Sequence, residues 1–179
     1  MHEILLLRAE LICIVGKHKL MAIADYGVLP EHFKSWKTWK NKEEFQFLHV
    51  LPCRCGTLFS SQTICKCGEH IIESYRSRNK RHFWEEEYDM AIDISDINMD
   101  NYHKERQAID NTLKKEYDIS MRELSKDAIE ILDTAKRRFG NAITKKLTTK
   151  IANTIAALED SKKIEKYHIL EALSYRTRY

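Results

Sequence analysis

Apolar positions change their spacing along the chain near residue 97. Before it they come in short runs, Ile4 to Leu7, Leu11 to Val15, Leu20 to Ala24, Phe45 to Leu51 and Met90 to Ile94; after it they recur every three or four residues. Runs rich in β-branched residues predict strands, and the wider spacing predicts helices. Leu11–Val15 and Leu20–Ala24 are expected to pair as a hairpin turning at Gly16, with a helix over part of this region as the alternative. Residues Pro30 to Trp39 read as a short helix with Phe33, Trp36 and Trp39 at apolar or edge positions. Phe45 to Val50 reads as a strand, Ile71 to Arg81 as helical at its start, and Met90 to Ile94 as a last strand.

From Asn98 onward four amphipathic helices are expected. Their stripes are Tyr102, Ile109, Leu113 and Tyr117; then Leu124, Ala128, Ile131, Leu132, Ala135 and Phe139; then Ile143, Leu147, Ile151, Ile155 and Leu158; then Ile169, Ala172, Leu173 and Arg176. Ser125 is placed to cap the second helix and Gly140 to stop it. The fold class is therefore α+β, with strands in residues 1–97 and a helical bundle in 98–179.

Composition agrees with a packed core: 43% of residues are hydrophobic, with only two prolines and five glycines. The 30 basic and 27 acidic residues are too balanced to argue for nucleic acid from the total charge. At the start, Glu3 stands where a signal peptide needs a basic residue, and Arg8 and Glu10 interrupt the apolar stretch. No apolar run is long enough to cross a bilayer. The expectation is a soluble cytoplasmic protein with no membrane partner and with reduced thiols.

Four of the five cysteines fall within fifteen positions, as two Cys-x-Cys pairs, Cys53/Cys55 and Cys65/Cys67. In an extended segment residues i and i+2 project to one side, so each pair can aim two sulfurs at one point. Two such pairs make a tetrahedral thiolate site of the kind a structural zinc takes, with His70 as a substitute ligand. The alternatives are a reduced, metal-free loop and, in an oxidising compartment, a disulfide. The remaining thiol, Cys13, lies in an apolar run where a buried, inert thiol is the default.

Two basic groups are candidates for contact with nucleic-acid phosphates: Arg76, Arg78, Lys80 and Arg81, and the six residues Lys136, Arg137, Arg138, Lys145, Lys146 and Lys150, among which no acidic residue intervenes. Lys34, Lys37, Lys40 and Lys42 also interleave with Trp36 and Trp39. The competing account of all three is a solvated surface, with Glu85, Glu86 and Glu87 near the first group.

Two blocks carry a family resemblance. Phe45-Gln46-Phe47-Leu48-His49-Val50-Leu51-Pro52-Cys53-Arg54-Cys55-Gly56, then Cys65-Lys66-Cys67, then Tyr75-Arg76-Ser77-Arg78, is similar to a segment of the magnesium-chelatase-like AAA+ ATPases of the ComM/YifB type. There a strand leads into an Asn-Pro-Cys-Pro-Cys-Gly turn, a Cys-Arg-Cys and a Tyr-Arg-x-Arg. Leu124-Ser125, Ala135, Arg138-Phe139-Gly140, Lys150 to Glu159, His168, Glu171-Ala172-Leu173 and Tyr175-Arg176 resemble the family's C-terminal helical region. The resemblance spans residues 29–176. It implies that 1–97 is a truncated remnant of an AAA+ α/β core with the cysteine loop at 53–67, and that 98–179 is the helical lid.

The resemblance also marks what has changed. Val15-Gly16-Lys17 lacks the earlier glycines of a phosphate loop, and His18 stands where a Ser or Thr holds magnesium. Leu29-Pro30-Glu31 resembles the segment after the family's acidic pair, but Gly27 and Val28, or Asp25 alone after a slip, occupy that pair's place. Leu51 replaces the sensor asparagine, Glu87 stands where an arginine finger is expected, and Ile143 or Thr144 replaces the sensor arginine. Neither ATP nor magnesium is expected to bind well, and no ATPase activity is expected. The resemblance thus implies a degenerate, non-catalytic pseudo-ATPase that assembles with its own copies or with an intact AAA+ partner, in a DNA-linked setting. The alternatives are a free-standing zinc-containing nucleic-acid-binding module and an ATPase completed by a partner chain.

Overall fold

In the computed structural model, residues 2–25, 47–60, 63–84, 88–94, 99–140 and 145–176 are described. The first element is a helix, α1 (His2–Gly16), and the strand β1 (Leu20–Ala24) follows it after a tight corner. The hairpin expected at Gly16 is not formed. Leu11 to Val15 is helical because Leu6, Leu7, Ala9, Leu11, Ile12 and Cys13 are all buried, against Met90–Ile94, Met99–Thr112 and Lys145–Leu158. A helix enclosed on most sides shows no clean polar stripe, so its apolar runs imitate strands.

Arg8 and Glu10, which break those runs, are its two anchor points. Arg8 Nε and Nη2 donate to the two carboxylate oxygens of Glu171 at 2.9 and 3.1 Å, and Nη2 also reaches Glu159 at 2.5 Å. Glu10, 2% exposed, lies 2.6 Å from Arg106 Nη1 and accepts from Tyr102 Oη at 3.2 Å. At the corner Lys17 takes a left-handed φ of 54°, and His18 N donates back to Cys13 O at 3.0 Å. This is the closing turn that commonly ends a helix.

β1 is the central strand of a parallel sheet, between β2 (Phe47–Val50) and β3 (Met90–Ile94), the latter two as expected from the apolar runs. Leu20 pairs with Phe47 on one side and with Met90 on the other. The two faces of the sheet follow its period of two. Leu20, Ala22, Ala24, Met90, Ile92 and Ile94 join the main core, whereas Met21, Ile23 and Ala91 form a second cluster with Phe59, Tyr75 and Tyr88. Tyr75 belongs to α2 (Glu69–Trp84), which runs further than Ile71 to Arg81. The outer edge of β3 is not left open: Ala91 N donates to Tyr175 O at 2.9 Å and Arg176 Nη1 to Asp89 O at 2.8 Å.

Four helices follow: α3 (Met99–Thr112), α4 (Lys126–Phe139), α5 (Lys145–Leu158) and α6 (Lys166–Ser174). Ser125 caps α4, its Oγ accepting from Ala128 N at 3.3 Å, and Gly140 ends it at φ 58°. Tyr117 falls outside α3, which stops at Thr112, and its hydroxyl donates back to Thr112 O at 3.2 Å. Asn153, 4% exposed, clamps the connection before α4: Nδ2 donates to the carbonyls of Ile119 and Ser120, and Oδ1 accepts from Arg122 N at 3.0 Å. The main core runs unbroken from α1 and the sheet through α3, α4, α5 and α6. Among the described residues no helix is long and apolar enough to cross a membrane.

His168 of α6 is fully buried, and its Nδ1 accepts from Glu165 N at 2.8 Å while Nε2 faces Glu159 Oε2 at 3.2 Å. An acceptor at Nδ1 requires the neutral ring. Burial lowers the His168 pKa below the ordinary 6.5 and prevails over the Glu159 charge and hydrogen bond, which raise it. The unfolded chain therefore binds the proton more readily, and this contribution to stability is present above pH 6.5 and declines as the pH falls below it. The urea midpoint is expected to drop between pH 7.5 and 5.5, and to drop less in His168→Gln; equal slopes in both proteins would contradict the assignment.

Candidate metal centre

The cysteine loop leaves the carboxyl end of β2 at Leu51. Cys53 and Cys55 sit on a tight turn rather than on an extended segment: Gly56 N donates to Cys53 O at 3.0 Å, and Gly56 adopts φ 73°, where a side chain would be strained. Cys65 and Cys67 approach on the stretch leading to α2, whose first turn opens with Ile71 N and Ile72 N donating to Gly68 O.

The two pairs converge. The four sulfurs all lie within 4.8 Å of one another, with Cys53 to Cys55 at 3.3 Å, Cys55 to Cys65 at 3.5 Å and Cys53 to Cys65 at 3.6 Å. Tetrahedral coordination with Zn–S bonds of about 2.3 Å sets sulfurs roughly 3.8 Å apart, so Cys53, Cys55 and Cys65 already stand within about half an ångström of that spacing. All four cysteines are free thiols. His70 is exposed and is not a member of the cluster.

Electrostatics favour a cation here. The Cys55 thiol is pulled down to about 5, first by the Thr57 hydroxyl, 3.2 Å from its sulfur, and then by Cys53. For Cys65 the backbone amide of Cys67 acts downward, but burial and hydrogen bonding to Cys55 and Cys53 prevail and push it up to about 12. Cys67 shifts up as well, the downward pull of the Cys55 backbone being outweighed by burial and by Cys55 and Cys53. A thiolate at Cys55 thus stands beside two thiols, Cys65 and Cys67, that resist ionisation, a conflict that a divalent cation resolves. Four cysteines so placed can hold a metal ion such as zinc.

Asp25, the residue after β1, is 6% exposed, and its Oδ1 accepts from Phe59 N of the cysteine loop at 3.3 Å. Gly16 is not part of a phosphate loop: it ends α1, and a Cβ there would lie 2.4 Å from both His18 Nε2 and Thr154 Oγ1. The segment with Gly27, Val28 and Leu29-Pro30-Glu31, the helix expected over Pro30 to Trp39 with its lysines, the Glu85 to Glu87 acidic run and Ile143 and Thr144 lie outside the described residues.

The basic residues are distributed over three helices. Arg76 and Arg78 are exposed on α2, with the Arg78 guanidinium 5.8 Å from the centre of the Tyr75 ring; Lys80 and Arg81 lie further along the same helix. Lys136, Arg137 and Arg138 form the last turn of α4, and Lys145, Lys146 and Lys150 stand on the first turns of α5. Lys145 pairs with Asp133, Arg137 donates to Thr134 Oγ1 at 3.2 Å, and Arg138 lies over the Phe139 ring at 5.3 Å. Neither Asn153 nor the Glu10–Arg106 pair was singled out from the sequence, since a buried polar residue on a helix carries no periodic signature of its partner.

Comparison with known proteins bears on the helical part. Residues 95–176 match the family described as magnesium chelatase, subunit ChlI C-terminal. The match supports a magnesium-chelatase-like family for this part of the chain. No curated protein matches it.

Proposed function

We propose that the chain is a degenerate, non-catalytic magnesium-chelatase-like protein of the ComM/YifB AAA+ type that acts by assembly, with further copies or with an intact ATPase, in a DNA-associated setting. Residues 1–97 are the remnant of its core, 98–179 its lid, and Cys53, Cys55, Cys65 and Cys67 hold a structural zinc. The observation that carries this reading is the engagement of Asp25. It is the carboxylate that a slipped alignment offers for magnesium, and here it is buried and bonded to the Phe59 amide. Leu51 at the end of β2 has no polar group to contact a phosphate. Zinc, when bound, supplies a fixed tetrahedral cross-link rather than a reacting group.

A fluorescent ATP analogue with magnesium is expected to show no saturable binding to the zinc-loaded chain at high micromolar protein. Saturable, magnesium-dependent binding would overturn the pseudo-ATPase reading and favour an ATPase that a partner completes. The α4–α5 corner, where five exposed or half-buried basic residues remain beside the Lys145–Asp133 pair, favours a second reading, a zinc-containing nucleic-acid-binding module. A salt-dependent affinity for DNA without nucleotide or partner would favour that module over the assembly protein.

A further inference from the structure

We propose that metal binding by the four cysteines and closure of their loop over the carboxyl end of β1 are one coupled event, with Asp25 as the positioning residue that links them. The proposal rests on the reading of Cys53, Cys55, Cys65 and Cys67 as a metal centre. The loop touches the sheet through Phe59, midway between the two cysteine pairs. Its side chain packs in the cluster of Met21, Ile23 and Ala91, and its amide donates to Asp25 Oδ1 at 3.3 Å.

An ion that ties both ends of the loop removes most of the closure entropy that Phe59 must otherwise overcome to reach the sheet. Linkage makes the effect reciprocal: whatever seats Phe59 raises the affinity of the cysteines for the ion. Asp25 is not among the clustered metal-binding groups, so its influence runs through the loop. Asp25 bonds Phe59 rather than serving as a ligand, so its removal acts on the ion only by the coupling free energy, which for linked sites is typically about 5- to 150-fold in affinity. Phe59 shares the cover of Met21, Ile23 and Ala91 with Tyr75 and Tyr88, and its share is present only while the loop is closed.

The test uses the full chain and zinc. Competition against a chromophoric chelator is expected to show Asp25→Ala binding zinc about tenfold more weakly than the unaltered chain, and Asp25→Asn, which keeps an acceptor oxygen, within about threefold of it. Hydrogen exchange of the unaltered chain is expected to rise over residues 20–25 and 57–60 when zinc is removed, and to stay unchanged over 151–157 in α5. If Asp25→Ala binds one zinc as tightly as the unaltered chain, or if removing zinc leaves exchange at 20–25 untouched, the coupling is refuted while the metal centre stands. If the unaltered chain takes up no zinc, the metal centre itself fails and the coupling with it. Should Asp25→Ala not fold, the exchange measurement decides alone.

Discussion

Gly16→Ala is expected to destabilise the folded chain by about 3 kcal/mol, although alanine is the better helix former by roughly 1 kcal/mol. The added methyl has nowhere to go. It would lie 2.4 Å from His18 Nε2 and from Thr154 Oγ1, and these two atoms are themselves bonded at 3.0 Å. His18 is fully buried and Thr154 is 3% exposed, so neither neighbour can swing out to solvent. His18 is also held on its backbone by Cys13 O, and the next residue, Lys19, donates its amide to Asp89 Oδ2 at 2.9 Å. Relieving the clash therefore means separating the end of α1 from α5, at the cost of a buried hydrogen bond and of packing around it. Chemical denaturation measures the change. A variant as stable as the parent would show that the corner yields, and that close approach is not why a glycine stands there. The position illustrates how a Gly-Lys pair can invite a phosphate-loop reading when the glycine instead serves helix packing.

How much was legible in the sequence depended on how many sides of each element are buried. In α4, Ala128, Leu132 and Ala135 face inward while Ile129, Glu130 and Arg137 face out, so a single stripe identified the helix, and Ser125 and Gly140 marked its ends. α1 is enclosed by the sheet and two helices, and its near-continuous apolar composition concealed the helical period. The convergence of the four cysteines was legible from spacing, because two sulfurs per pair and one loop leave few ways to place four thiols. Its local mechanism was not: the first pair converges through a turn at Gly56 rather than through an extended segment. The order β2-β1-β3 left no trace in periodicity, which reports that a strand exists and not which strand lies beside it. Asn153 was equally silent, since its partners are backbone groups of the 119–122 segment.

Removing one member of the Glu10–Arg106 pair is expected to cost more than the glycine substitution, about 3–5 kcal/mol for either Glu10→Met or Arg106→Met. Glu10 is 2% exposed and Arg106 8%, and their closest atoms are 2.6 Å apart, with Tyr102 Oη bridging at 3.2 Å to Glu10 and 3.0 Å to Arg106. Either single variant takes the opposite charge away from a buried ionised group between α1 and α3. The double variant is expected to recover most of the loss, because two methionines fill similar volume without a charge to desolvate. A double-mutant cycle read by urea denaturation separates the two contributions: a coupling of about 2 kcal/mol or more is expected, whereas single effects that simply add would show that the pair is not energetically linked. The distinction bears on how the chain is built. Arg8 and Glu10, two residues apart, engage different helices, Arg8 reaching α6 and the end of α5 and Glu10 reaching α3. A strong Glu10–Arg106 coupling would mean that α3 is held in register on α1 by charge and not by apolar contact alone, so that α1 orients α3, α5 and α6 against the sheet from a single short segment.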